Sequence, residues 1–154
     1  MNQEITEPNL LDATEPDYLK LARQLADANK KMVNIPNIYR ITDIYSGESF
    51  VLGYLDDSKN PVNPKEICKV MHVSSARVAM ILNQLEQKGL IERKQDAENG
   101  RQTLIYLLPA GKAQRQINIE RYNERAIPFL KALGPKDAVE YIRLQNRISE
   151  IYEK

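Results

Sequence analysis

The stretch "NPKEICKVMHVSSARVAMILNQLEQKGLIERKQDAENGRQTLIYLLPAG", residues 63–111, decides how this chain folds. It opens on Asn63-Pro64, an N-cap residue followed by proline at the first helical position. Ile67, Cys68, Val70 and Met71 then recur at helical spacing and make one buried face. His72-Val73-Ser74 interrupts the run, and Ser74 is placed to cap a second helix. That helix turns Val78, Ile81, Leu82 and Leu85 inward and ends at Gly89, a residue suited to the left-handed position beyond a helix end.

Two apolar runs follow directly. Leu90–Lys94 is half apolar, and Gln102–Leu108 is richer in strand formers, with Thr103, Ile105 and Tyr106. Between them Asn99-Gly100 is a strong hairpin-turn signal, since both residues tolerate positive φ. Two short helices on a tight turn form a helix-turn-helix. With an isolated hairpin behind it, the segment reads as a winged helix whose polar tip carries one arginine, Arg101.

Outward from this segment the chain is helical. From Pro16 the apolar residues Leu19, Leu21, Ala22, Leu25, Ala26, Ala28 and Met32 keep helical spacing until Pro36 forces a kink or break. Ile38, Ile41, Ile44 and Tyr45 form a second piece, broken at Ser46-Gly47. Phe50, Val51, Tyr54 and Leu55 form a short helix that ends near Asp57. After Pro109 a long helix runs to about Leu133, Gly134-Pro135 breaks it, and a last helix carries Ala138, Val139, Tyr141, Ile142, Leu144, Ile148 and Ile151. The pattern predicts a flexible arm over 1–15, N-terminal dimerisation helices over 16–46, a winged helix-turn-helix over 47–111 and C-terminal dimerisation helices over 112–154. The fold class is mainly α with a small β-wing.

Composition narrows the function classes. The chain has 154 residues, 42% hydrophobic and 28% charged, enough to bury a core without disulfides or metal. No apolar run reaches the length of a membrane span, and acidic residues 1–17 lack the apolar core of a signal peptide. One cysteine, Cys68, forms no internal disulfide and suits a reducing cytoplasm. The net charge of +1 conceals an uneven distribution: −5 over residues 1–58, +5 over 59–115 and +1 over 116–154. The middle block is the candidate contact surface for a polyanion. Enzyme readings fail early. There is no glycine-rich phosphate loop, and a single histidine leaves few general-base options.

The run "EICKVMHVSSARVAMILNQLEQKGLIER", the loop "QDAENGR" and "LLPAG" together resemble the MarR family of bacterial transcription regulators. The resemblance implies a two-fold homodimer on double-stranded DNA. A two-fold dimer asks for a pseudo-palindromic site, whose occupancy blocks transcription, as a repressor does, or alters it; a small-molecule effector could act by changing the spacing of the two DNA-binding heads. No residue of this chain identifies an effector. Three positions depart from the family pattern. Asn99, Gly100 and Arg101 stand where the family's wing usually carries an acid, an arginine and a second basic residue. Leu108 replaces a helix-capping threonine, with Pro109 behind it. Met80 occupies a frequently basic position of the recognition helix.

Candidate contacts with DNA follow from groove chemistry. The major groove admits one α-helix, whose N-terminal residues reach base edges. Ser74, Ser75, Ala76, Arg77, Met80 and Gln84 lie on that end and outer face. Arg77 suits guanine or phosphate, Ser75 a phosphate or base edge, and Gln84 adenine or phosphate. On the wing, Lys94, Asn99, Gly100 and Arg101 are the candidates, Arg101 for the narrow and electronegative minor groove. The competing reading is a winged-helix protein-interaction module without specific DNA binding.

Cys68 reads as a packing residue, and His72 as an exposed polar residue. One histidine and one cysteine make no plausible transition-metal site, so neither metal nor cofactor is expected. Tyr18, Tyr39, Tyr45, Tyr54, Tyr122 and Tyr141 can line a cleft for an aromatic ligand. Packing with a wet hydroxyl is the more economical reading of tyrosines on amphipathic helices.

Overall fold

The structure, a computed structural model, describes residues 15–33, 47–59, 61–97 and 99–152. The chain divides into two units, Met1–Ile38 and Tyr39–Lys154. The predicted kink at Pro36, the apolar piece Ile38–Tyr45, Tyr39, and nearly all of the predicted arm lie outside the described residues.

The first unit contains helix α1 (Tyr18–Val33). Asp17 starts it: its carboxylate accepts from the Lys20 amide at 3.1 Å and its carbonyl from Leu21 at 3.0 Å. Lys30 and Lys31 in the last turn oppose the negative end of the helix dipole. None of its residues is buried, and Leu19 and Leu25 stand more than 60% exposed.

The second unit is built round one apolar cluster. Helix α2 (Gly47–Asp57) contributes Val51, Leu52 and Leu55, helix α3 (Pro64–Met71) Ile67, and helix α4 (Ser75–Gln87) Val78, Ile81, Leu82 and Leu85. Strands β1 (Ile91–Gln95) and β2 (Thr103–Leu107) add Ile91 and Ile105. The strands pair antiparallel, with Ile91 opposite Leu107 and Gln95 opposite Thr103. Alternation then puts Ile91, Arg93 and Ile105 on the inner face, and Glu92, Lys94, Leu104 and Tyr106 on the outer face.

Val62 extends this sheet by a single bridge. Its amide donates to the Ile105 carbonyl at 3.3 Å and its carbonyl accepts from the Ile105 amide at 2.9 Å. A one-residue bridge has no periodicity, so the sequence pattern did not announce it.

Local chemistry fixes the helix-turn-helix. Asn63 and Glu66 make a reciprocal capping box at the start of α3: Asn63 Oδ1 accepts from the Lys65 amide at 2.9 Å, and Glu66 accepts from the Asn63 amide at 3.0 Å. Ser74 Oγ accepts from the Arg77 amide at 3.3 Å and caps α4. Both helices close with the same pair of bonds. At the end of α4, Leu90 donates to the Leu85 carbonyl and Gly89 to that of Glu86. At the end of α3, Val73 donates to Cys68 and His72 to Lys69. Gly89 takes the left-handed turn at φ 67°; in α3 the same turn falls to His72, at φ 51°.

Helix α5 (Pro109–Leu133) starts without a side-chain cap. Leu108 stands at its N-cap, and the Leu108 amide donates to the Leu90 carbonyl at 3.0 Å. Gly111 in the first turn is buried against that carbonyl. A Cβ there would overlap the Leu90 oxygen and Leu107 Cδ1. Helix α6 (Pro135–Tyr152) follows Gly134 and buries none of its residues.

Two expectations need correction. Val70 does not share the buried face of α3: it is 42% exposed, while Ile67 is fully buried and Cys68 and Met71 pack against the cluster from its edge. At about 100° per residue Ile67, Met71 and Cys68 span one arc, and Val70 lies about 60° beyond Ile67 on the side away from it. Nor does the hairpin close on Asn99-Gly100 with positive φ. Among the described residues only His72, Gly47, Gly89 and Gly134 have positive φ. The Gln102 amide donates to the Asn99 carbonyl at 2.8 Å, and the Asp96 amide to the Gln102 carbonyl at 2.9 Å. The turn is thus centred on Gly100-Arg101, within a loop too long to require a primed two-residue turn.

Candidate nucleic-acid interface

The outward residues of α4 lie opposite its buried row. Ser74, Ser75, Ala76, Arg77, Ala79, Met80 and Gln84 are all exposed, while Val78, Ile81, Leu82 and Leu85 anchor the helix from behind. Ser74 spends its hydroxyl oxygen on the cap, and its hydroxyl hydrogen is left for a second acceptor. At the wing, Asn99, Gly100 and Arg101 are exposed at the turn between β1 and β2.

Ion pairing sorts the cations of the basic middle block. Lys88 pairs with Glu48 at 2.6 Å, joining the end of α4 to the start of α2. Arg115 meets Asp56 and Asp57, each at 2.9 Å, and donates to the Gly53 carbonyl at 3.0 Å. This binds α5 to the last turn of α2, and the Asp57 hydrogen bond is the main cause that raises the pKa of the Arg115 guanidinium. Arg93 reaches from β1 to α4: its Nη2 donates to Asn83 Oδ1 at 2.7 Å, and its Nε lies 3.4 Å from Glu86. Arg93 therefore sets the wing against the recognition helix.

Lys94 is committed within the wing. Its ammonium lies 2.6 Å from Glu92 and 5.2 Å from the Tyr106 ring centroid. The Glu92 hydrogen bond, ahead of the plain charge attraction, raises its pKa. Glu92 thereby offsets the positive charge that Lys94 presents at the wing.

Among the described residues, Lys59, Lys65, Lys69, Arg77, Arg101 and Lys112 of this block have no ion-pair partner. Arg77 and Arg101 are the two already singled out, one on the recognition helix and one at the wing. Lys65 and Lys69 are exposed on α3 and were not among the candidates from sequence; their four-residue spacing on a capped helix was the available signal.

The remaining candidates fall elsewhere. Tyr54 and Tyr122 line a cleft of about 410 Å³ between α2 and α5, with Phe50, Ile119 and Arg115. Tyr141 packs edge-on against Phe129, with centroids 5.6 Å apart, and Tyr18 is 66% exposed on α1. Tyr39 and Tyr45 lie outside the described residues. Cys68 is half-buried at the edge of the core, and His72 is exposed. Among the described residues no helix is long and apolar enough to cross a membrane.

Comparison with known proteins gives a consistent picture. The model of the MarR family matches residues 41–102. The chain is 31% identical over 151 residues to YwhA, an uncharacterized HTH-type transcriptional regulator of Bacillus subtilis (strain 168), covering 97% of this chain and 100% of the relative. Among solved structures it is similar in fold to YusO from Bacillus subtilis, with a TM-score of 0.62 at 18% identity over 89% of this chain and 99% of that one. It is similar also to the S. aureus MepR–DNA complex, with a TM-score of 0.56 at 22% identity over 89% of this chain and 99% of MepR.

Proposed function

Since this chain belongs to the MarR family of transcription regulators, we propose that it works as a sequence-specific, double-stranded DNA-binding homodimer that represses transcription. Each α4 enters a major groove, and each Arg101 enters the adjacent minor groove. The carrying observation is the exposed N-terminal half of α4: it has an apolar row pinned in the core behind it, and in front an arginine, Arg77, with no ion-pair partner among the described residues. A guanidinium held this way can take guanine O6 and N7 together. Arg101, at an exposed hairpin turn, has the reach and charge for a narrow minor groove. The resemblance of the fold to MepR, a protein solved with DNA, supports the same reading.

Dimerisation is argued from exposed apolar surface. In α6, Val139, Ile142, Leu144, Ile148 and Ile151 are each more than 45% exposed, and Leu19, Leu25 and Val33 of α1 more than 60%. Apolar stripes of this extent are covered in stable soluble proteins, and a second copy of the chain supplies matching stripes. Repression then follows from occupancy of a promoter site.

Mobility shift on random duplex, followed by selection of bound sequences, tests the proposal. The expected result is retardation at low salt and enrichment of a pseudo-palindrome with half-sites roughly 10 base pairs apart. No retardation at low salt would refute DNA binding and favour the protein-interaction module. A folded monomer by sedimentation at low micromolar concentration would refute the dimer.

A further inference from the structure

The outer face of α4 is more apolar than a solvent-facing helix requires. Ala76, Ala79 and Met80 are exposed there, Met80 by 43%, while the exposed residues of the C-terminal half are polar, Asn83 and Glu86 beside Arg93, and Gln84 and Gln87. Ala76 and Met80 are four residues apart, so their side chains stack one turn over the other on a single ridge. Arg77 flanks that ridge and Gln84 continues it. The apolar surface is thus confined to the end of α4 that carries the proposed base contacts.

The major groove offers one apolar group to such a surface, the C5-methyl of thymine. We infer that Met80, with Ala76 one turn before it, is a specificity residue that reads a thymine methyl in each half-site. The inference rests on the proposed insertion of α4 into the major groove. A thioether side chain with three rotatable bonds is polarisable and can settle over a methyl group without a fixed hydrogen-bond geometry. A cation at the same position would hold phosphate or guanine and would be indifferent to that methyl. This chain therefore reads sequence by shape and dispersion at a place where a basic residue would read guanine or hold phosphate.

The test uses the whole 154-residue chain and a duplex that it has itself selected from a random pool. Each dT of the two half-sites is replaced in turn by dU, which removes only the methyl, and binding is titrated. One buried methyl corresponds to about a fourfold change in affinity, and removal from both half-sites to roughly fifteenfold. The expected result is one dU-sensitive position per half-site, tighter binding when 5-methyl-dC replaces dC at that position, and equal binding of dT and dU duplexes by Met80→Ala. Met80→Leu should keep the discrimination. The inference is overturned if no position responds to dU, or if Met80→Ala keeps the full dT-to-dU ratio. A protein that selects a site yet ignores dU loses this inference alone; one that binds no duplex at all loses the DNA-binding proposal with it.

Discussion

Substituting Gly111 reverses an ordinary expectation. Glycine inside a helix costs about 1 kcal/mol relative to alanine, so Gly→Ala in a helix normally stabilises. At Gly111 the added Cβ meets the Leu90 carbonyl oxygen and Leu107 Cδ1. The leucine methyl can rotate aside, but the carbonyl is backbone and already accepts the Leu108 amide at 3.0 Å. Relief requires the first turn of α5 to lift from the base of the wing. Overpacking of this kind costs about 1–3 kcal/mol and occasionally more, which outweighs the propensity gain. Gly111→Ala should therefore lose about 1–3 kcal/mol, and its Tm should fall by roughly 3–10 °C for a chain of this size. Gly53 is the internal control. It also lies within a helix, α2, but a Cβ there meets nothing within 4 Å, so Gly53→Ala should gain up to about 1 kcal/mol. Urea and thermal unfolding at one fixed protomer concentration read both changes, since the stability of the proposed dimer depends on concentration. Gly111→Ala as stable as the parent would refute the tight docking of α5 on the wing base.

Other expectations follow from single contacts. His72 sits at φ 51° in a position that favours glycine, so His72→Gly should stabilise by about 1 kcal/mol in urea unfolding, and a loss would show that its side chain makes a contact that matters. Glu92→Gln frees the Lys94 ammonium now held at 2.6 Å; it should tighten binding to random duplex and steepen the dependence of log K on log salt by about one unit. An unchanged slope would show that Lys94 does not face phosphate. Cys68→Ala should keep fold and DNA affinity, and peroxide should not release DNA from the parent; peroxide-driven release that vanishes in the variant would make Cys68 a redox switch.

The helical frame was legible because its ends are written in short signals. Asn63-Pro64 starts α3, Ser74 caps α4, Gly89 ends it, and Pro109 and Gly134-Pro135 bound α5. The buried row of α4 was equally plain, since Val78, Ile81, Leu82 and Leu85 repeat at the helical period. The outward candidates on that helix followed as its complement.

What escaped depends on groups far apart in sequence. The Val62 bridge to Ile105 and the close approach of Gly111 to Leu90 are visible only after folding. So is the division of cations between structure and surface. By charge alone Lys94 and Arg101 are equivalent, but one is held by Glu92 while the other has no ion-pair partner among the described residues. The break at His72 was legible as the end of α3, but not that His72 itself takes the left-handed turn, since its residue type rarely does so.

Arg77 and Arg101 bear most directly on the central claim. Binding of parent, Arg77→Ala and Arg101→Ala is titrated on the selected site and on a scrambled duplex at several salt concentrations. If Arg77 reads a base, its loss should cost about 1–3 kcal/mol on the selected site, relax preference at one position per half-site, and leave the scrambled duplex nearly unaffected. If Arg101 lies in the minor groove, its loss should weaken both duplexes nearly alike, most where the flank is A·T-rich, and flatten the salt dependence. Unchanged affinity of both variants on both duplexes would contradict the account, because this face of the protein would then not meet DNA.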